Sequence, residues 1–287
     1  MLSKRTYINF LKGISFLIIL LFIPRACIEF RISDEDALKE FDDLSVKPLF
    51  DDLLIGGRNI HYAFTNQKKE ALVVFIHGSP GSWNAFIDYF KSDSLLSVAD
   101  VLAIDRPGYG KSDFGNAEPS LKIQSQLINK VIEQFDHKKI ILIGHSLGGP
   151  VIARLAMDYP SHFDGLIFVA PSINPDLEKK EWFREIFKSR IGKIFVPTEI
   201  GVSNEEIISL KNELLKMVPK WKDIQTQSIV IQGTEDWLVP ADNALFAEEM
   251  LDDSLLTIKM MDGENHFIPW SNEGVITEAI YQIAVPQ

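Results

Sequence analysis

Residues 139–149 read KIILIGHSLGG, and this stretch decides the reading of the chain. An aliphatic run (139–144) ends at Gly144 and passes through His145-Ser146-Leu147 into Gly148-Gly149, where a helical pattern over 147–159 begins. Gly144, Ser146 and Gly148 form a G-x-S-x-G sequence between a strand signal and a helix signal. A serine on such a sharp turn needs small neighbours, because side chains on either side would meet backbone. The turn lifts the hydroxyl to the start of a helix, whose free N–H groups favour developing negative charge. Pro150 is tolerated there, since the first helical turn has no intrahelical acceptor for the N–H that proline lacks.

Outward from this turn the same grammar repeats. Short aliphatic runs at 72–77 (LVVFIH), 98–105 (VADVLAID), 139–144, 165–170 (GLIFVA), 228–232 (SIVIQ) and 254–260 (SLLTIKM) read as buried strands. Helical patterns lie between several of them, notably 121–135, 147–159 and 241–250. Strands without polar alternation, separated by helices, predict a mostly parallel sheet with helices on both faces. The segment 53–64, broken by Gly56-Gly57, reads as a hairpin at the sheet edge. Residues 171–222 break the alternation with two amphipathic helices and no strand, which predicts a helical lid inserted after a strand. Trp182, Phe183, Ile186 and Phe187 share a face of the first helix. Ser203 and Glu206 are expected to cap the second, which carries Ile207, Leu210, Leu214 and Leu215.

A serine hydroxyl is a poor nucleophile near neutral pH and needs a base, which in turn needs an orienting acid. Asp236 follows the run 228–232, and His266 follows the run ending near Met260. Both fall at strand C-terminal ends, where open α/β sheets place their sites. The order Ser146, Asp236, His266 is the order this type of serine turn requires. Asp176, after Asn174-Pro175, is the rival acid. The remaining histidines are assigned otherwise. His61, His137 and His162 read as surface or packing residues, His145 flanks the serine, and His77 is expected to bond loop backbone. An oxyanion needs two backbone donors. The N–H of Leu147 supplies one, and the loop His77-Gly78-Ser79-Pro80-Gly81 suggests Ser79 N–H as the second. Trp182, Phe183, Phe187 and Trp237 are the candidates for lining an acyl pocket. No histidine pair brackets a glutamate at helical i, i+4 spacing, so no zinc is expected and no metal is assigned.

Together, HGSPG (77–81), DRPGYGKS (105–112), GHSLGG (144–149), GTED (233–236) and NHF (265–267) resemble the α/β-hydrolase fold family, in family order and from about residue 53 onward. The resemblance implies an eight-stranded sheet, a helical cap after the sixth strand, a serine hydrolase mechanism and no cofactor. Epoxide hydrolases and dehalogenases of this family carry aspartate at the nucleophile position, where this chain has Ser146. The resemblance is best to the lid-bearing esterases, with carbon–carbon bond hydrolases and aminopeptidases as alternatives on the same triad. A non-catalytic binding protein on the same fold is the alternative from another class. The 105–112 loop is expected to brace the structure.

Composition sets the outer limits. The chain has 287 residues, 46% hydrophobic and 24% charged, so a single α/β domain with an adequate core is expected. A net charge of −11, with no basic patch, argues against nucleic acid, and the hydrolase resemblance implies a small-molecule substrate as the expected partner. Residues 1–27 read as a signal or anchor segment: Lys4, Arg5 and Lys12 precede the uncharged run 13–23, GISFLIILLFI. Positive charge on the N-terminal side predicts export of the rest, with membrane association through this segment. Cys27, the single cysteine, stands where bacterial lipoproteins carry a lipidated cysteine and is a possible lipid anchor. An uncleaved anchor is the alternative. Residues 28–50 form an acidic lead-in in which Ser33 and Asp36 resemble a capping box.

Overall fold

The computed structural model describes residues 30–178, 181–188 and 196–285. The expected anchor segment, with Cys27, therefore lies outside the described residues.

Eight strands form one sheet: β1 (Leu49–Ile55), β2 (Arg58–Phe64), β3 (Ala71–Ile76), β4 (Ala99–Ile104), β5 (Lys139–His145), β6 (Gly165–Val169), β7 (Ser228–Gly233) and β8 (Leu256–Met261), in the order β1-β2-β4-β3-β5-β6-β7-β8. The expected hairpin is the sheet's edge. β1 pairs antiparallel with β2 around Gly56 and Gly57, both at positive φ (58° and 85°), the conformation a tight two-residue turn demands. β2 pairs antiparallel with β4, and every pairing from β4 to β8 is parallel. All six aliphatic runs have become parallel strands.

The absence of polar alternation has the expected cause. In β3, Leu72, Val74 and Ile76 enter one core, while Val73 and Phe75 enter the other. Helices Leu121–Ile132, Gly148–Asp158 and Asp242–Met250 cover the first face, and helix Glu273–Ala284 the second. The second face also takes the 3₁₀ segment Trp83–Phe90 and the short helix Asp93–Val98, which occupies the residue where the sequence suggested β4 to begin. Ser92 caps that helix by accepting from Leu95 N–H at 3.4 Å. In the lead-in, Ser33 caps helix Asp34–Lys39 as expected, accepting from Asp36 N–H at 3.1 Å, and Ala37 and Phe41 are fully buried in the second core.

Between β6 and β7 lie helices Trp182–Lys188 and Thr198–Met217. The second helix departs from expectation at its start. It begins at Thr198, after Pro197, so Ser203 and Glu206 lie inside it and cap nothing. Both are buried, which a capping pair at a solvated helix start would not be. Among the described residues no helix is long and apolar enough to cross a membrane.

Candidate active site

Ser146 stands between β5 and helix Gly148–Asp158 with φ at +53°, a left-handed conformation that costs a non-glycine residue about 1–2 kcal/mol. The surroundings hold it there. Its N–H donates to Val169 O at 3.0 Å, and its carbonyl accepts from Gly149 N–H at 2.9 Å and Ser172 N–H at 3.2 Å. The flanking glycines are demanded by close approach. A Cβ on Gly148 would lie 2.2 Å from the Ile76 carbonyl oxygen, and one on Gly144 would lie 2.4 Å from the Gly148 oxygen. Leu147 N–H opens the helix, where backbone donors have no intrahelical acceptor.

Asp236 and His266 meet across the ends of β7 and β8. His266 Nδ1 lies 2.7 Å from Asp236 Oδ2, and both residues are buried. The other carboxylate oxygen accepts from Leu238 N–H at 2.9 Å and Val239 N–H at 2.8 Å. Gln232 Nε2, at the end of β7, adds a bond to Oδ2 at 3.3 Å. With every nearby donor pointing at the carboxylate, His266 donates through Nδ1 and is left with Nε2 as its acceptor. Asp176, the rival acid, is exposed in a turn and has no part in this pair.

His266 also meets His145, the residue that precedes Ser146. His145 Nε2 donates to the His266 carbonyl at 3.1 Å, and the two rings lie 4.7 Å apart. Burial, and then the neighbouring His266, push the His145 pKa down to about 3, so this ring is a neutral spacer. Trp270 packs edge-on against it at 5.3 Å.

The HGSPG loop lies over the same turn. A methyl group on Gly78 would stand 3.0 Å from Ser146 Cβ. As expected, His77 bonds loop backbone: Nδ1 donates to Gly78 O at 2.7 Å, and Nε2 accepts from Arg106 N–H at 2.9 Å. Both bonds require the neutral ring, and burial with Arg106 nearby holds its pKa well below the ordinary value. The 105–112 loop is the brace the sequence suggested. Asp105 accepts from Trp83 N–H at 2.7 Å and Lys111 N–H at 2.8 Å, and Ser112 Oγ donates to the Asp105 carbonyl at 2.7 Å. Burial raises the Asp105 carboxyl to a pKa of about 6.

The proposed pocket aromatics are less uniform. Trp182 and Trp237 are 69% and 74% exposed, so neither is a core residue, and Phe187 is half-buried. The Phe183 side chain lies outside the described residues. Sequence reasoning assigned no part in the site to Gln232, Trp270 and Glu206. Gln232 directly precedes the GTED motif and Trp270 lies three residues after NHF, which was the available signal. Glu206 had none beyond its helix. Among the described residues no group of three or more His, Cys, Asp or Glu side chains is arranged to hold a metal ion.

Comparison with known proteins agrees with this architecture. The profile of the alpha/beta hydrolase fold matches residues 71–190, which span the HGSPG loop and the serine turn. A pimeloyl-[acyl-carrier protein] methyl ester esterase of Wigglesworthia glossinidia brevipalpis is 31% identical over 184 residues, 57% of this chain and 66% of that protein. Epoxide hydrolase 4 of Mus musculus is 30% identical over 118 residues, 39% of this chain and 32% of that protein. With several of the curated relatives it matches, the chain shares only about a third of their length. Among solved structures, a membrane phospholipase A superposes with a TM-score of 0.64 at 14% identity, covering 98% of each chain. The sheet order, the serine turn between β5 and the following helix, the profile match and the superposition together show the α/β-hydrolase fold.

Proposed function

We propose that the chain is a serine hydrolase that cleaves a small carboxylic ester through an acyl-enzyme. The buried Asp236–His266 bond at 2.7 Å, with the His266 carbonyl held by His145 beside Ser146, is the observation that carries this reading. His266 Nε2 takes the Ser146 proton as Oγ attacks the ester carbonyl carbon. The carbonyl oxygen becomes an oxyanion, received by the N–H groups of Leu147 and Ser79. Asp236 holds the imidazole tautomer and offsets the charge of the imidazolium. Collapse of the tetrahedral intermediate expels the alcohol, which takes the proton back from His266. Water then repeats the sequence on the acyl-enzyme and releases the acid. Serine at 146, where epoxide hydrolases carry aspartate, supports acyl transfer, and the relative named as a methyl ester esterase supports an ester as the bond cleaved.

We further propose that the N-terminal segment holds the enzyme at a membrane, exported, through a lipid on Cys27 or through an uncleaved anchor. The uncharged run 13–23 behind Lys4, Arg5 and Lys12 supports this. The intact mass of detergent-extracted protein tests the lipid route: an acyl increment is expected on it, and an unmodified mass would remove Cys27 from the account.

For the chemistry, hydrolysis of a panel of p-nitrophenyl esters is compared between wild type and Ser146→Ala. Turnover by wild type and its loss in the variant are expected. Equal rates in both would end the proposal.

A further inference from the structure

Glu206 sits inside the cap helix Thr198–Met217, 2% exposed, and faces a fully buried arginine in the 105–112 loop. Arg106 Nη1 donates to Glu206 Oε1 at 2.6 Å and Nη2 to Oε2 at 3.1 Å, a two-pronged pair. The other guanidinium donors reach the HGSPG loop and its support. Nε donates to His77 O at 2.9 Å, Nη2 to Gly78 O at 2.9 Å, and Nη1 to Gln124 Oε1 at 3.0 Å. Glu206 in turn accepts from Tyr109 OH at 2.7 Å, Gln124 Nε2 at 2.9 Å and Ser79 Oγ at 3.1 Å. A buried ion pair is stable only when its remaining donors and acceptors are filled, and here both partners are saturated.

One of these bonds bears on the reaction. The Gly78 carbonyl belongs to the peptide unit that carries the Ser79 N–H. That oxygen is held from two sides, by Arg106 and by His77 Nδ1. The peptide is planar, so fixing its oxygen fixes the opposite direction of its N–H. We infer that Glu206 is a positioning residue. Through Arg106, the cap carboxylate sets the direction of the Ser79 N–H, so the oxyanion site is complete only with the cap helix in place. The inference rests on the acyl-transfer reading above. It adds that cap and oxyanion site act as one unit.

The isosteric variant Glu206→Gln removes the charge that holds Arg106. With p-nitrophenyl acetate, kcat is expected to fall about 10- to 100-fold, less than the 10²–10³ that accompanies loss of a whole oxyanion donor. KM should stay within about threefold, and the midpoint of the acid limb of kcat/KM should not move, because His266 and Asp236 are untouched. A trifluoromethyl ketone adds Ser146 Oγ to its carbonyl carbon, passes the serine proton to His266 and leaves an oxyanion at the same place. Its inhibition constant should rise by the factor lost from kcat. A merely structural loss would not link those two numbers. Wild-type kcat and inhibition constant in E206Q would overturn the inference, as would a loss confined to KM or a shifted acid limb with unchanged inhibition. Should E206Q fail to fold, E206D keeps the countercharge with a shorter reach. It should lower kcat and ketone affinity in the same proportion, and unchanged values of both would overturn the inference equally. Failure of the acyl-transfer reading is a separate outcome: wild type and Ser146→Ala would then behave alike.

Discussion

Asp236 and Glu206 are both buried carboxylates beside the proposed site, yet they are held by different means. Asp236 lies in the loop after β7 and is fixed by neighbours in sequence: Gln232, Leu238 and Val239. Glu206 is fixed by Arg106, Tyr109, Gln124 and Ser79, all about 80 residues or more before it. In the proposed mechanism the first side chain orients the base and the second the oxyanion donor. The sheet-edge half of the site is thus assembled from local loops on a rigid sheet. The proposed oxyanion half depends on a long-range contact with the helices inserted between β6 and β7.

The comparison breaks most sharply at Asp236. Asp236→Asn keeps the shape but cannot stabilise the imidazolium, and kcat is expected to fall by about 10⁴-fold, well beyond the loss from E206Q. Steady-state ester hydrolysis measures this, and a loss no larger than that of E206Q would erase the distinction between the two carboxylates.

Next in size is the packing beneath the serine turn. Gly148→Ala places a methyl group 2.2 Å from the Ile76 oxygen, against backbone that cannot yield cheaply. A stability loss of about 3 kcal/mol is expected from urea unfolding, at the upper end of overpacking costs. An unchanged midpoint would mean that the turn is not rigid.

A smaller effect appears in the pH dependence of stability. His77 and His145 stay neutral in the fold, so below about pH 6.5 they gain protons only on unfolding. Stability therefore falls as the pH drops, each ring adding a slope approaching about 1.4 kcal/mol per pH unit. Asp105 has the opposite sign. Its folded pKa of about 6 exceeds its unfolded value, so from pH 6 to about 4 the folded state gains the proton first and offsets one ring. The expected slope grows as the pH falls through 6.5 and levels at about 1.4 kcal/mol per pH unit between about pH 6 and 5, because Asp105 cancels one of the two rings. Stability rising steadily as the pH falls from 6.5 would contradict these assignments.

Smallest is the N-cap of the lead-in. Ser33→Ala should lower global stability by about 1 kcal/mol if helix Asp34–Lys39, through Ala37 and Phe41, is part of the folding unit. No change would show that the lead-in opens separately.

The same contrast explains what could be read from the residues alone. Strands β3 to β8, the Gly56-Gly57 hairpin, the serine turn and the separate loops that carry Asp236 and His266 are each encoded within a few consecutive residues. Hydrophobic runs, glycine spacing and chain order therefore sufficed. The buried face of the cap helix is not encoded that way. Glu199, Ser203, Asn204, Glu206 and Glu213 are buried in it, so hydrophobic periodicity saw only a partial stripe. Ser203 with Glu206 looked like a cap because the pattern is the same whether its partners are local N–H groups or an arginine 100 positions away. Pro197 before Thr198 was the better mark of the helix start. Helix Asp93–Val98 is masked in the sequence for a plainer reason, since it runs directly into β4 and its last residue, Val98, extends the aliphatic signal of that strand.

The most direct test of the central claim is covalent labelling by a fluorophosphonate, whose phosphorus is attacked by an activated serine Oγ with loss of fluoride. The account predicts one adduct, on the peptide that contains Ser146, formed rapidly by wild type and absent from Ser146→Ala and His266→Ala. Wild type that stays unlabelled where a control esterase reacts, or an adduct on a different serine, would contradict it.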